Sequence, residues 1–85
     1  MKIYVMQVRM DDESYEVLPH AHLSPEAAQT SLAFRSGTAL EWKEHNSHGH
    51  CWEAKDGHYV ITEIDVVDKA DRRQQESIES ATHRL

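Results

Sequence analysis

Eighty-five residues allow one domain with one modest core, and a single cysteine excludes an internal disulfide. The formal charge is −6 with histidine neutral, and residues 1–67 carry all of it, eleven acids against five bases. A body of that sign is a poor binder of phosphate backbones; it suits a partner with a basic surface, including a protein that itself binds nucleic acid, or simply keeps a small protein soluble.

Residues 2–10 are rich in β-branched and aromatic side chains and predict a first strand. Asp11-Asp12-Glu13-Ser14 reads as a four-residue polar turn. Tyr15 to His22 predicts a second strand, in which Pro19 is tolerated only at an edge or an irregularity. Pairing across that turn sets Met10 opposite Tyr15, Val8 opposite Val17 and Tyr4 opposite Ala21 on an apolar face. Arg9 then opposes Glu16, and Val5 opposes His20, on the other face.

Ser24-Pro25-Glu26 predicts a helix start: a capping hydroxyl, a proline at the first position and an early acid. The spacing of Ala28, Leu32, Arg35, Ala39 and Trp42 carries the helix to about Glu44, with Gly37 as an alternative stop. Asn46 to Gly49 is a loop. Asp56-Gly57 predicts a type I′ hairpin turn between strands at 50–55 and 58–67. That turn sets Ala54 against Tyr59, Trp52 against Ile61 and His50 against Glu63.

The order β-β-α-β-β predicts an α+β fold: a four-stranded, mostly antiparallel sheet with one main helix on a face. It forms a single domain over residues 1–68, followed by a polar C-terminal tail or helix, 69–85, in which Ile78, Ala81 and Leu85 align. Val60, Ile64 and Val66 fall on the sheet face away from Trp52, Tyr59 and Ile61, and one helix cannot cover both faces. Either the tail covers the second face or the protein self-associates there as a homodimer.

Four of the seven histidines and the cysteine fall within fourteen residues, His45 to His58. His45, His48, His50 and Cys51 are ligand types for zinc, with His58 or Glu63 as substitutes. The paired knuckles of structural zinc sites are missing, and neighbours in a strand, such as His50 and Cys51, point to opposite faces. A solvated histidine-rich loop accounts for the same residues. Cys51 lacks the electropositive surroundings of a catalytic thiol and reads as a small buried hydrophobe. His20 and His22 share one strand face and read as exposed residues ahead of a helix cap. Glycine-rich phosphate loops, G-x-S-x-G and H-E-x-x-H are all missing, so no enzyme is expected.

No apolar run approaches the roughly 20 residues that span a bilayer. The opening Met1-Lys2-Ile3-Tyr4-Val5 is too short and too alternating for a signal peptide, so a cytoplasmic location is expected.

The opening strand Met1–Val5, the helix start Leu23-Ser24-Pro25-Glu26-Ala27-Ala28 and the closing strand Tyr59–Val67 resemble a loose class of small phage and bacterial-host proteins. The resemblance implies a compact β-β-α-β-β accessory protein in the host cytoplasm. Some acidic phage proteins of this size are stoichiometric inhibitors of host defences such as CRISPR effectors. The class supplies no catalytic residues.

The expectation is a non-enzymatic module that binds a basic protein surface. Asp11, Asp12, Glu13, Glu41 and Glu44 would supply charge around an aromatic anchor, Trp42 or Trp52. The alternative is a zinc protein organised by His45, His48, His50 and Cys51.

Overall fold

The computed structural model describes residues 1–47 and 49–67. Five strands and one helix follow in the order β1 (Lys2–Arg9), β2 (Tyr15–His22), α1 (Pro25–Ser36), β3 (Lys43–His45), β4 (Cys51–Ala54) and β5 (Tyr59–Asp65). The strands form one antiparallel sheet ordered β2-β1-β5-β4-β3. The fold is α+β, with five strands where the sequence predicted four. The expected boundary at 68 and the tail 69–85 lie outside the described residues.

The second hairpin takes the expected register, but its turn is longer than the predicted two residues: Lys55 is left-handed as well, φ 51°, and the strands stop at Ala54 and resume at Tyr59. Asp56 and Gly57 both take positive φ, 53° and 84°, and His58 N–H donates to the Lys55 carbonyl at 3.0 Å. Ala54 pairs with Tyr59 and Trp52 with Ile61, and Glu63 N–H donates to the His50 carbonyl at 2.9 Å.

The first hairpin departs from the expected register twice. Glu13 adopts the left-handed conformation, φ 68°. Its N–H donates to the Met10 carbonyl at 3.0 Å, while Met10 N–H donates to the Ser14 carbonyl at 2.7 Å. This closes a three-residue loop, 11–13, one residue shorter than predicted. Arg9 therefore pairs with Tyr15 and Val8 with Glu16, in place of Arg9 with Glu16 and Val8 with Val17. Further along, Val5 pairs with Ala21 and Tyr4 with His22, so Leu18, Pro19 and His20 face Met6 alone. Pro19 has no N–H for the ladder, and the chain bulges there instead.

Helix α1 begins as predicted: Ser24 is the N-cap, its hydroxyl accepting from Ala27 N–H at 3.1 Å, and Pro25 opens the first turn. It stops at Ser36, well before Glu44. Gly37 takes φ 75° and its N–H donates to the carbonyls of Ala33 and Phe34, a left-handed C-cap that glycine tolerates best. The chain beyond alternates with period two: Leu40 and Trp42 pack on the core and lead into β3, the strand the sequence reading missed.

The core lies between α1 and one sheet face, built from Tyr4, Met6, Leu18, Ala28, Leu32, Trp52, Ala54, Tyr59 and Ile61. Met6, Leu32 and Ile61 are fully enclosed, each contributing on the order of 1.5–3 kcal/mol by burial. Because α1 packs on β1, β5 and β2, no described element covers the opposite face. That open face carries Ile3, Val5, Gln7 and Arg9 from β1, beside Val60, Thr62 and Ile64 from β5. It ends at Cys51, Glu53, Lys43 and His45.

Candidate functional site

The histidine-rich segment is divided between the two faces. His45 in β3 pairs across to Cys51 in β4 on the open face, with His45 Nε2 3.3 Å from Glu53 Oε1. His50, immediately before Cys51, turns to the helix side, as strand alternation requires. His48 lies outside the described residues. His58 belongs to the second turn and meets Tyr59 edge-on at 4.7 Å. The proposed zinc set is therefore not assembled by the described residues: His45 and Cys51 share one face and His50 occupies the other. No group of three or more His, Cys, Asp or Glu side chains among the described residues is placed to hold a metal ion. Cys51 is a free, half-buried thiol.

His50 instead belongs to a polar cluster on the helix-side face. The Glu63 carboxylate accepts from Lys2 Nζ at 2.7 Å and from the Tyr4 hydroxyl at 3.2 Å, and faces His50 Nδ1 at 3.0 Å. The other ring nitrogen, Nε2, meets Glu44 Oε1. The imidazole lies 4.1 Å from the Trp52 ring, which Tyr4 contacts edge-on from 5.7 Å. A doubly protonated ring donates to both carboxylates, whereas a neutral ring leaves one nitrogen facing an acid without a proton to share.

The electrostatics agree with that geometry. Hydrogen bonding to Glu44, followed by Glu63, raises His50 above the ordinary imidazole value, against the opposing effect of burial. The Lys2 ammonium, with help from His50 and Tyr4, holds Glu63 below the usual carboxylate range. Glu63 in turn raises Lys2, while burial foremost, then Glu63, raises Tyr4. Two acids, two bases and a phenol satisfy one another, so the cluster fastens β1, β5, β3 and the chain entering β4 together.

The other predicted site residues are redistributed. Trp52 is 7% exposed and belongs to the core, so it cannot serve as a surface anchor. Glu41 and Glu44 are not one helical turn apart: Glu41 precedes β3, and Glu44 is in β3, engaged by His50. Asp11, Asp12 and Glu13 are exposed on the first turn. Asp12 accepts from the Ser14 hydroxyl and N–H, which lowers its pKa, the hydroxyl contributing most. Arg9 N–H donates to the His58 carbonyl at 2.8 Å, so the first turn adjoins the second, which carries Asp56.

Trp42 is half-buried beside that second turn. It lines an open groove of about 460 Å³ with Glu41, Lys43, Glu53, Lys55 and Asp56. One end of the sheet thus carries Asp11, Asp12 and Glu13 on the first turn and, on the side of β3 and β4, the Trp42 groove with Glu41, Asp56, Lys43 and Lys55.

Sequence reasoning anticipated the His50–Glu63 pairing from the hairpin register. It missed Glu44, Tyr4 and Lys2, whose positions depend on β3 existing and on β1 lying beside β5. It also gave no role to Phe34, which is 89% exposed on the helix beside a groove lined by Leu18 and Pro19. No family model matches the chain, and comparison with curated proteins and with solved structures gave no match.

Proposed function

We propose that this protein is a non-enzymatic binding module that engages a basic protein surface stoichiometrically, at the end of the sheet where its two turns meet. The observation that carries this reading is the gathering of exposed acids there, Asp11, Asp12 and Glu13 on one turn and Asp56 on the adjoining one. Near Asp56 the Trp42 groove offers an aromatic wall edged by three acids, Glu41, Glu53 and Asp56, and two bases, Lys43 and Lys55, where a lysine or arginine of the partner would stack on the ring. A nucleic-acid-binding protein has a surface of the required sign. Occupying that surface would keep nucleic acid off it, which is how a phage-encoded or mobile-element inhibitor acting in the host cytoplasm would work.

The test is direct binding between the full chain and a panel of basic nucleic-acid-binding proteins, measured across a salt series with duplex DNA as competitor. Association should weaken steeply as the Debye length shrinks from about 10 Å at 0.1 M to about 3 Å at 1 M, and DNA should displace the chain. Binding indifferent to both salt and DNA would sink the reading.

The competing zinc reading retains His45 and Cys51, the cross-strand pair on the open face. Elemental analysis of protein purified without an affinity tag separates the two. Stoichiometric zinc would favour the metal protein.

A further inference from the structure

We propose that the helix-free face of the sheet is an interface with a second copy of this chain, β5 lying over β5, with Arg9 of each copy meeting Glu53 of the other. The face is apolar where it is most central. The ladders set Ile3 beside Ile64, Val5 beside Thr62 and Gln7 beside Val60. Ile64 is 42% exposed, and Val17 on the neighbouring β2 is 56% exposed. A sheet with apolar side chains on both faces is stable in water when each face is covered, and a second sheet packs about 10 Å away.

Charge selects the second copy as the occupant. The shortened first turn places Glu16 on the helix side, so Arg9 loses the carboxylate that the expected register would have set opposite it. No ion pair among the described residues includes Arg9; its guanidinium donates only to the Asp56 carbonyl, at 3.3 Å. On the same face Glu53 stands opposite Lys43 in the β3–β4 ladder, and its one ion pair among the described residues is with His45, at 3.3 Å. These two charges flank β5 on either side, Arg9 from β1 and Glu53 from β4.

Since β5 is the central strand of five, a twofold axis along it lays β1 of one copy over β4 of the other. Gln7, Val60 and Glu53 lie level across the sheet, and Arg9 is the next residue outward on that face. The offset is about 7 Å along the strand, within reach of a guanidinium. Val60, Thr62 and Ile64 then meet their own counterparts, with one Arg9–Glu53 pair on either side of β5 at its Val60 end. Within one copy β5 separates the two charges, so the pairing is made between copies.

The test is sedimentation velocity on the full chain across a micromolar concentration series, with melting curves to confirm folding. The wild type should dimerise, and Arg9→Glu and Glu53→Lys should each weaken association by about tenfold or more, since like charges then face one another twice. An equimolar mixture of the two variants should associate again, because each mixed interface restores both opposite-charge pairs. Ile64→Lys, on the β5–β5 seam, should give a folded monomer.

A wild type that stays monomeric at every concentration would overturn the proposal and leave the face to residues 68–85 or to another protein. A dimer that ignores all three substitutions, or variants that fail to associate when mixed, would overturn it equally. Neither result bears on the acidic end, whose partner binding is measured separately.

Discussion

Glu63 bridges a strand-one lysine and a histidine that reaches a second acid, and the titrations of Glu63 and His50 limit the cluster from opposite sides. His50 is raised above the ordinary value of 6.5 in the fold, so its stabilisation is complete below that pH and is lost as pH rises through the folded value. Glu63 is depressed below 4.5, so its stabilisation is present above that pH and is lost as pH falls through the folded value. These two groups therefore contribute together between about 4.5 and 6.5. Melting temperature followed against pH should decline on the alkaline side of that window, and His50→Gln should flatten that decline. Equal slopes in variant and wild type would show that the imidazole is not held by its acids. His50 opposite Glu63 was legible because both flank one short hairpin. Tyr4 and Lys2 were not, because nothing local to them says that β1 lies beside β5.

Among the elements, the second hairpin was readable to the register and the first was not. Asp56-Gly57 carries its own instruction, since both positions take positive φ and glycine is suited to it. In the first turn the left-handed residue is Glu13, a side chain that gives no such signal, so the loop came out one residue shorter than it looked. Gly57→Val should destabilise the protein by more than about 1 kcal/mol. Its φ of 84° opposes a β-branched residue, and a Cβ there would sit 3.5 Å from the Tyr15 hydroxyl. At the helix ends, Ser24→Ala should cost about 1 kcal/mol through the lost cap. Gly37→Ala should cost roughly 1–2 kcal/mol through the left-handed backbone alone, because a Cβ at that position meets nothing within 4 Å. Urea unfolding of the three variants measures all of these. The helical spacing of Ala39 and Trp42 misled because Leu40 and Trp42 equally satisfy a period of two, and only Gly37 distinguishes the readings.

For the whole molecule, the charge excess was visible in composition, but that Asp11, Asp12, Glu13 and Asp56 come to one end follows from the strand order. Reversing Asp11, Asp12 and Glu13 to lysine should slow association with a basic partner about tenfold while changing dissociation little, since exposed charges act mainly on encounter. Stopped-flow or surface-based kinetics would separate the two rates. An effect confined to dissociation would point to Trp42 as the dominant contact.

The pairing of β1 with β5 also bears on how this chain reaches its fold. Lys2 must find Asp65, and Met1 carbonyl accepts from Val66 N–H, across nearly the full described length. Contacts so distant in sequence demand loop closure before they reward it, and they favour folding in milliseconds to seconds over microseconds. During synthesis at about 5–20 residues per second, the first hairpin waits seconds for its central neighbour. Until β5 emerges from the ribosome, β1 is an open edge, and its unpaired backbone and apolar side chains are open to pairing with other chains.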